Sequence, residues 1–220
     1  MKKEMVQEAC DRYKKLYTGA ICDNLDKRGL RDQILPYYIQ SQTGNVKIAG
    51  PAFTGFGTPV ADIKHTDMDK RLKMLNSITP LSISVWSTGG DMQSAHWGEI
   101  MSTAARERGC QGAVVDGGVR DMDFIIEMGF PVFARFKCPA SSVGRWEIRE
   151  WQVPVKIGST TINPGDFIFG DIDGVVVIPE AIALEVLVEA EGLARREDGM
   201  RKELRQGMLV TEAYEKYGAL

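Results

Sequence analysis

Twenty residues lie between Glu99 and the pair Arg120–Asp121, and each follows a glycine-bearing stretch. In the second stretch, GCQGAVVDGGVRD (109–121), an apolar run ends in two glycines, a valine, and opposite charges side by side. Arg120 offers a planar fork suited to a carboxylate or a polarised carbonyl oxygen. Asp121 offers a hard oxygen ligand for Mg²⁺ or Mn²⁺, or equally a cap for a helix that starts at Met122. Gly117 and Gly118 permit backbone conformations closed to other residues and a close approach to a ligand. Gly98–Glu99–Ile100–Met101 opens a helix, where free N–H groups and the positive end of the dipole favour an anion. The plainer alternative is a helix start whose dipole Glu99 complements. Two readings therefore stand: a helix cap with a surface salt bridge, or an anion-and-metal site.

Other motifs carry less. GFGTPV (55–60) begins like a dinucleotide loop, but no third glycine follows in a strand–helix frame, so it reads as a turn. DIDGVVVIP (171–179) starts like a calcium loop, yet apolar residues fill the later ligand positions, which leaves a turn. His96, next to Trp97, reads as a packing or solvated histidine more readily than as a general base. The only other histidine, His65, lacks the spacing of a zinc helix with it. Trp146 and Trp151 flank EIRE and are expected to close the core. Cys10, Cys22, Cys110 and Cys138 form no C-x-x-C pair, and no signal-peptide segment precedes them, so reduced structural thiols are expected.

The elements that must position these residues follow from periodicity. Met5, Ala9, Tyr13 and Leu16 predict a helix over 4–16, and Thr18 a cap for a second helix over 19–27 that stops at Gly29. VKIAGPAFTGFGTP (46–59) is broken by Gly and Pro into short apolar pieces of strand and loop. A polar helix is expected near 67–76, a strand at 81–87, and a helix from about Trp97 to Arg108. A short strand at 113–115, a helix at 122–128 and a strand at 131–135 come next. Residues 153–179 are β-rich, with turns at 158–159, 164–166 and 171–174. A charged helix over about 180–204 and a short terminal helix close the chain. No repeat or linker divides residues 1–220, so a single α/β domain is expected.

Hydrophobic residues at 44% and charged residues at 26% suit a globular chain with one sizeable core. A net charge of −3, with acids flanking basic pairs such as Arg195–Arg196, gives no electrostatic case for nucleic acid or an anionic membrane. No apolar run approaches the ~20 residues of a membrane span. A soluble, cytoplasmic protein is expected.

Taken together, the two glycine-bearing stretches resemble the D/E-x20-R-D signature of class II pyruvate aldolases for 4-hydroxy-4-methyl-2-oxoglutarate and 4-carboxy-4-hydroxy-2-oxoadipate. That family also holds the regulator of ribonuclease activity A. The segments 49–54, 97–121, 130–135, 164–179 and 196–207 are similar to the family pattern, nearly the whole chain. The resemblance implies an α/β/β/α sandwich like a phosphohistidine swivelling domain, with N- and C-terminal helical arms. It implies trimers or hexamers with sites between subunits, and a divalent ion, Mg²⁺ or Mn²⁺. Backbone amides across Gly98, Glu99, Ile100 and Met101 would then hold the pyruvyl carboxylate, and Arg120 the keto oxygen. Asp121 would ligate the metal, and Glu99 would orient a metal-bound water. Glu197 matches the acid that a neighbouring subunit supplies. The implied activity is retro-aldol cleavage of a 4-hydroxy-2-oxo acid to pyruvate, with oxaloacetate decarboxylation alongside, and no Schiff-base role for Lys64 or Lys137. A non-catalytic regulator of ribonuclease activity is the rival. A menaquinone methyltransferase label attached to the family finds no methyl-donor glycine loop here. SITPLSISV (77–85) replaces an expected Pro-Gly-Asp turn, and no residue marks a pocket for distal carboxylates.

Overall fold

Strand residues in this chain alternate between two apolar faces, and that alternation builds the layers. The structure, a computed structural model, describes residues 3–60 and 67–219, so Lys64 and His65 lie outside the described residues. The chain runs α1 (Lys3–Tyr13), α2 (Thr18–Lys27), β1 (Gln40–Ser41), β2 (Ile48–Pro59), α3 (Met68–Ser77), β3 (Ile83–Ser87), β4 (Ala95–Trp97) and α4 (Glu99–Glu107). It continues through β5 (Gly112–Val119), α5 (Met122–Met128), β6 (Val132–Lys137), β7 (Trp146–Trp151), β8 (Val155–Ile157) and β9 (Thr160–Ile162). Last come β10 (Phe167–Asp171), β11 (Gly174–Ile178), α6 (Ala183–Arg205) and α7 (Val210–Tyr217).

The main sheet has the order β1-β6-β5-β3-β2-β10-β11, with β4 added on β5 and β7 on β2. Neighbours among β2, β3, β5 and β6 are parallel, whereas β10, β11 and β7 join antiparallel. The sheet folds back so that one set of side chains meets in the middle. Ile48, Ile168, Val175 and Val177 from one half pack with Ile83, Val85, Val114 and Phe133 from the other. The alternate residues Phe167, Phe169, Val176 and Ile178 face α1, α2 and α6. Trp86, Ala113, Val115, Val132 and Ala134 face α3, α4 and α5. A period of two thus gives each strand one inner and one outer face, and the product is the expected α/β/β/α sandwich with helices at both ends. Among the described residues, no helix is long and apolar enough to cross a membrane.

Several local expectations change. Residues 48–59 are one continuous strand, not strand and loop, and GFGTPV is not a turn. Its glycines make room for tryptophans: a Cβ on Gly55 would stand 2.3 Å from the Trp86 ring, and one on Gly57 2.1 Å from the Trp146 ring. Thr18 does not cap α2. It is the first helical residue, and its N–H (2.9 Å) and hydroxyl (3.0 Å) both donate to Asp171 at the end of β10, so the capping acid arrives from the sheet. Trp97 lies in a short strand, so α4 opens two residues later than expected. WEIREW forms the edge strand β7, with Trp146 and Ile148 inward.

A buried polar pillar joins β4 to β5. His96 is 3% exposed, and its Nδ1 accepts the Gly118 N–H at 3.2 Å. The proton therefore sits on Nε2, which donates to Asp91 at 2.9 Å. Asp91 also accepts the Ser94 hydroxyl and, at 3.0 Å, the Gln93 N–H. Burial pushes His96 down to about 4 against the pull of Asp91. Burial would raise Asp91, but hydrogen bonds from Ser94, Gln93 and His96 hold it below its ordinary value.

These shifts fix a direction. Between the ordinary histidine value of 6.5 and about 4 the unfolded chain binds the proton that folded His96 refuses, so stability falls as pH drops through that window. The lowered Asp91 adds a loss at still lower pH, as its folded carboxylate protonates. The expected cost of acidification from pH 7 to 4 is roughly 3 kcal/mol from His96, or about 6–12 °C in melting temperature for a chain of this size. His96→Asn should be less stable at pH 7 yet show a flatter profile down to pH 4. An equally steep melting profile in the variant would assign the acid sensitivity to other groups.

Candidate active site

Strand β5 delivers Arg120 and Asp121 to one spot, and its neighbours fix them there. The Arg120 N–H donates to the Trp97 carbonyl at 3.1 Å and the Cys138 N–H to Val119 at 2.9 Å, so the ends of β4 and β6 clamp the end of β5. Gly117 and Gly118 lie inside β5, in extended backbone, and form no hinge. Their smallness serves packing: a Cβ on Gly117 would meet His96 Nδ1 at 2.4 Å, and one on Gly118 the Ser94 carbonyl at 2.5 Å. His96 is thus a packing residue with both ring nitrogens committed. Asp116, earlier on β5, forms an ion pair with Arg135 (3.0 Å) under Tyr38 and stands apart.

Asp121 then leaves the strand in the left-handed region, at φ 58° and ψ 37°. A non-glycine residue held there costs on the order of 1 kcal/mol. It occupies the position before α5 but makes no side-chain cap to that helix. The capping reading fails on this point. The carboxylate leans instead on the start of α4, where Oδ2 accepts the Glu99 N–H at 3.4 Å and lies 3.3 Å from Arg120 Nε. A Cβ on Gly98 would stand 2.8 Å from the same oxygen. Oδ1 has no partner among the described residues.

The start of α4 completes the anion side. Gly98 is extended and provides no side-chain cap, so the first-turn amides of Ile100 and Met101 lack an intrahelical acceptor. Glu99 accepts the Thr103 hydroxyl at 2.8 Å through Oε1. A cleft of about 220 Å³ opens here, walled by Gly98, Ile100, Met101, Arg120 and Asp121. Arg120 and Asp121 also line a second hollow of about 390 Å³, beside Phe124 and Lys137.

One member of the cleft was invisible in the motifs. Arg71 of α3 reaches the same cleft and donates from Nη2 to Ser142 at 3.0 Å. Burial lowers its pKa first, and the charge of Arg120 lowers it further. The available signal was helical spacing: Arg71 lies three and four residues before Met74 and Leu75, the buried residues of α3.

Glu197 is not among these groups within one chain. It lies on α6, where it accepts the Tyr17 hydroxyl and pairs with Arg201 at 3.1 Å. Burial first, and then Glu197, raise the Tyr17 pKa. No set of three or more His, Cys, Asp or Glu among the described residues could hold a metal. A closed structural metal site is thus not formed among the described residues, whereas an open magnesium-type site, completed by water and ligand oxygens, would ask for as little as one carboxylate, which Asp121 could supply. All four cysteines are free.

Comparison with known proteins identifies relatives over most of this chain. The Legionella pneumophila protein DlpA is 30% identical over 200 residues, which cover 91% of this chain and 32% of DlpA. The chain thus spans about a third of that relative. A Halalkalibacterium halodurans protein, provisionally named a 4-hydroxy-4-methyl-2-oxoglutarate aldolase, is 30% identical over 203 residues, 92% of this chain and 91% of its own. The solved structure of Streptomyces coelicolor RraAS2, described as an unusual member of the RNase ES inhibitor RraA family, superposes with a TM-score of 0.78. That match has 25% identity and covers 88% of this chain and 96% of the other. Residues 18–177 match the family described as RraA-like, Aldolase/RraA, and the chain belongs to that family.

Proposed function

We propose that the protein is a divalent-metal-dependent lyase that cleaves a 4-hydroxy-2-oxo acid to pyruvate. The observation that carries this reading is Asp121: a left-handed aspartate that declines its own helix and turns its carboxylate toward the open amides of α4, beside Arg120. A carboxylate, a guanidinium and free amides around one cleft suit a ligand with both an anionic end and an oxygen that gains charge.

The 2-oxo acid carboxylate takes the amides of Ile100 and Met101, and Arg120 donates to the keto oxygen. Mg²⁺ or Mn²⁺, when held by Asp121, supplies Lewis-acid polarisation of those oxygens. As the C3–C4 bond breaks, its electron pair moves onto the pyruvyl fragment and charge gathers on the keto oxygen beside Arg120. Glu99 takes the C4 hydroxyl proton through a water, the C4 carbonyl product leaves, and C3 is protonated to give pyruvate. Loss of CO₂ from oxaloacetate places the same charge on the same oxygen, so decarboxylation accompanies cleavage. In this proposal the protein assembles as trimers or hexamers, and Glu197 reaches the site from a neighbouring subunit. The likeness to RraAS2 supports a second reading, a binder of ribonuclease machinery, in which Asp121 and Arg120 have no chemical duty.

Exhaustive chelation with EDTA should abolish pyruvate release, and Mg²⁺ or Mn²⁺ should restore it; full turnover without metal rejects the mechanism. Arg120→Lys keeps the charge but loses the fork, and removing one such charge-stabilising donor typically costs about 10²–10³-fold in kcat. Near-normal kcat/KM in that variant would remove Arg120 from the keto oxygen. Asp121→Ser should melt within a few degrees of the parent, since no cap is lost, while Mn²⁺ affinity and turnover collapse. A folded, fully active Asp121→Ser protein would favour the binding reading.

A further inference from the structure

Arg71 is a half-buried guanidinium that meets no carboxylate among the described residues. The contrast with other arginines is sharp. Arg12 pairs with Glu191 at 2.8 Å, Arg28 with Glu189 at 2.8 Å, Arg135 with Asp116 at 3.0 Å, and Arg201 with Asp198 and Glu197. Arg71 has only the neutral Ser142 hydroxyl, which holds Nη2 and leaves its other N–H groups to the cleft. Removing a cation from water without a counter-charge is costly, and here a second guanidinium, Arg120, faces the same cleft.

The charge count within the cleft points to its occupant. Asp121 neutralises Arg120 across 3.3 Å and is the only carboxylate among the described residues that line the cleft. Once Asp121 is engaged by a divalent cation, that compensation weakens and the cleft lacks still more negative charge. A monoanionic 2-oxo acid, seated on the α4 amides and Arg120, leaves Arg71 unanswered. A second carboxylate on the far end of the ligand answers it, with the bidentate geometry that a guanidinium prefers. At about 220 Å³ the cleft is of a size for a small ligand.

We infer that Arg71, oriented by Ser142, receives the distal carboxylate of the substrate and makes this site selective for 2-oxo diacids over 2-oxo monoacids. This rests on the reading above that the site binds the 2-oxo acid end. Arg71 touches no reacting atom. It acts on specificity, and its loss should appear in binding and KM far more than in kcat.

The test uses the intact protein with Mn²⁺ and two unreactive probes, 2-oxoglutarate and pyruvate, by isothermal titration. Arg71→Met retains an unbranched apolar stem at this position and removes the charged head. Arg71→Met should weaken 2-oxoglutarate about 10–100-fold, the loss of a charged hydrogen-bond pair, and pyruvate at least tenfold less than that. Ser142→Ala provides a second variant with a smaller loss of the same selective kind. Equal losses for the two probes in Arg71→Met, or none for either, overturn the inference. A parent protein that binds both probes yet releases no pyruvate from any 4-hydroxy-2-oxo acid overturns the lyase reading alone, and the selectivity of Arg71 is then decided by binding. A parent that binds neither probe overturns both.

Discussion

The site depends on one backbone choice, the left-handed turn at Asp121. A residue in the extended region usual for an N-cap could turn its side chain back onto the first amides of α5. In the left-handed region the side chain swings across to α4, and the start of a different helix becomes its partner. That conformation is disfavoured by itself and persists because both sides are held. β4 and β6 fasten the residues just before it through Trp97 and Cys138, and α5 begins immediately after. The strain is thus a consequence of strand placement, and the carboxylate–amide–guanidinium cluster is its product.

Strand placement in turn rests on how close β4 can come to β5. His96 fits beneath Gly117 and takes the Gly118 N–H, so the second half of β5 is paired on one side by β4 and on the other by β6. Any side chain at 117 would collide with the imidazole. A neutral histidine suits this location because it accepts from one strand and donates to Asp91 at once, leaving neither nitrogen unsatisfied in the core. The glycine pair that suggested ligand contact is explained by this packing. The residues of this stretch that line the cleft are Arg120 and Asp121, just beyond the strand.

What the sequence could and could not tell follows from the range of the interactions. Helix α5 has the predicted bounds, and the hairpin from β10 to β11 turns where Asp171–Gly174 suggests, because both are local: spacing, turn residues and a following glycine suffice. The four-layer sandwich was legible through the family resemblance, since the continuous apolar runs of β10 and β11 do not by themselves distinguish their two faces. The continuity of β2 was not, since its glycines look like breaks until Trp86 of β3 and Trp146 of β7 are placed against them. The same limit applies to Thr18, whose capping partner is 153 residues away. Glu99, Arg120 and Asp121 were legible as a set only by their spacing. Their contact arises from the pairing of β4 with β5, which no local pattern records.

Arg71 shows the deeper form of that limit. On paper it is one more cation in a polar helix, between Lys70 and Lys73. Its meaning comes from what the fold does not provide. The helix face that carries Met74 and Leu75 into the core also carries Arg71 partly out of water, and among the described residues only a serine hydroxyl is set against it. The other partly buried arginines of this protein are compensated by carboxylates, so folding alone gives no reason to leave this one bare. Two guanidiniums facing one cleft repel each other. Under the proposal that Arg71 receives a distal carboxylate, an anion placed between them would relieve that repulsion, and selectivity for a doubly charged ligand would follow from the charge balance of the fold.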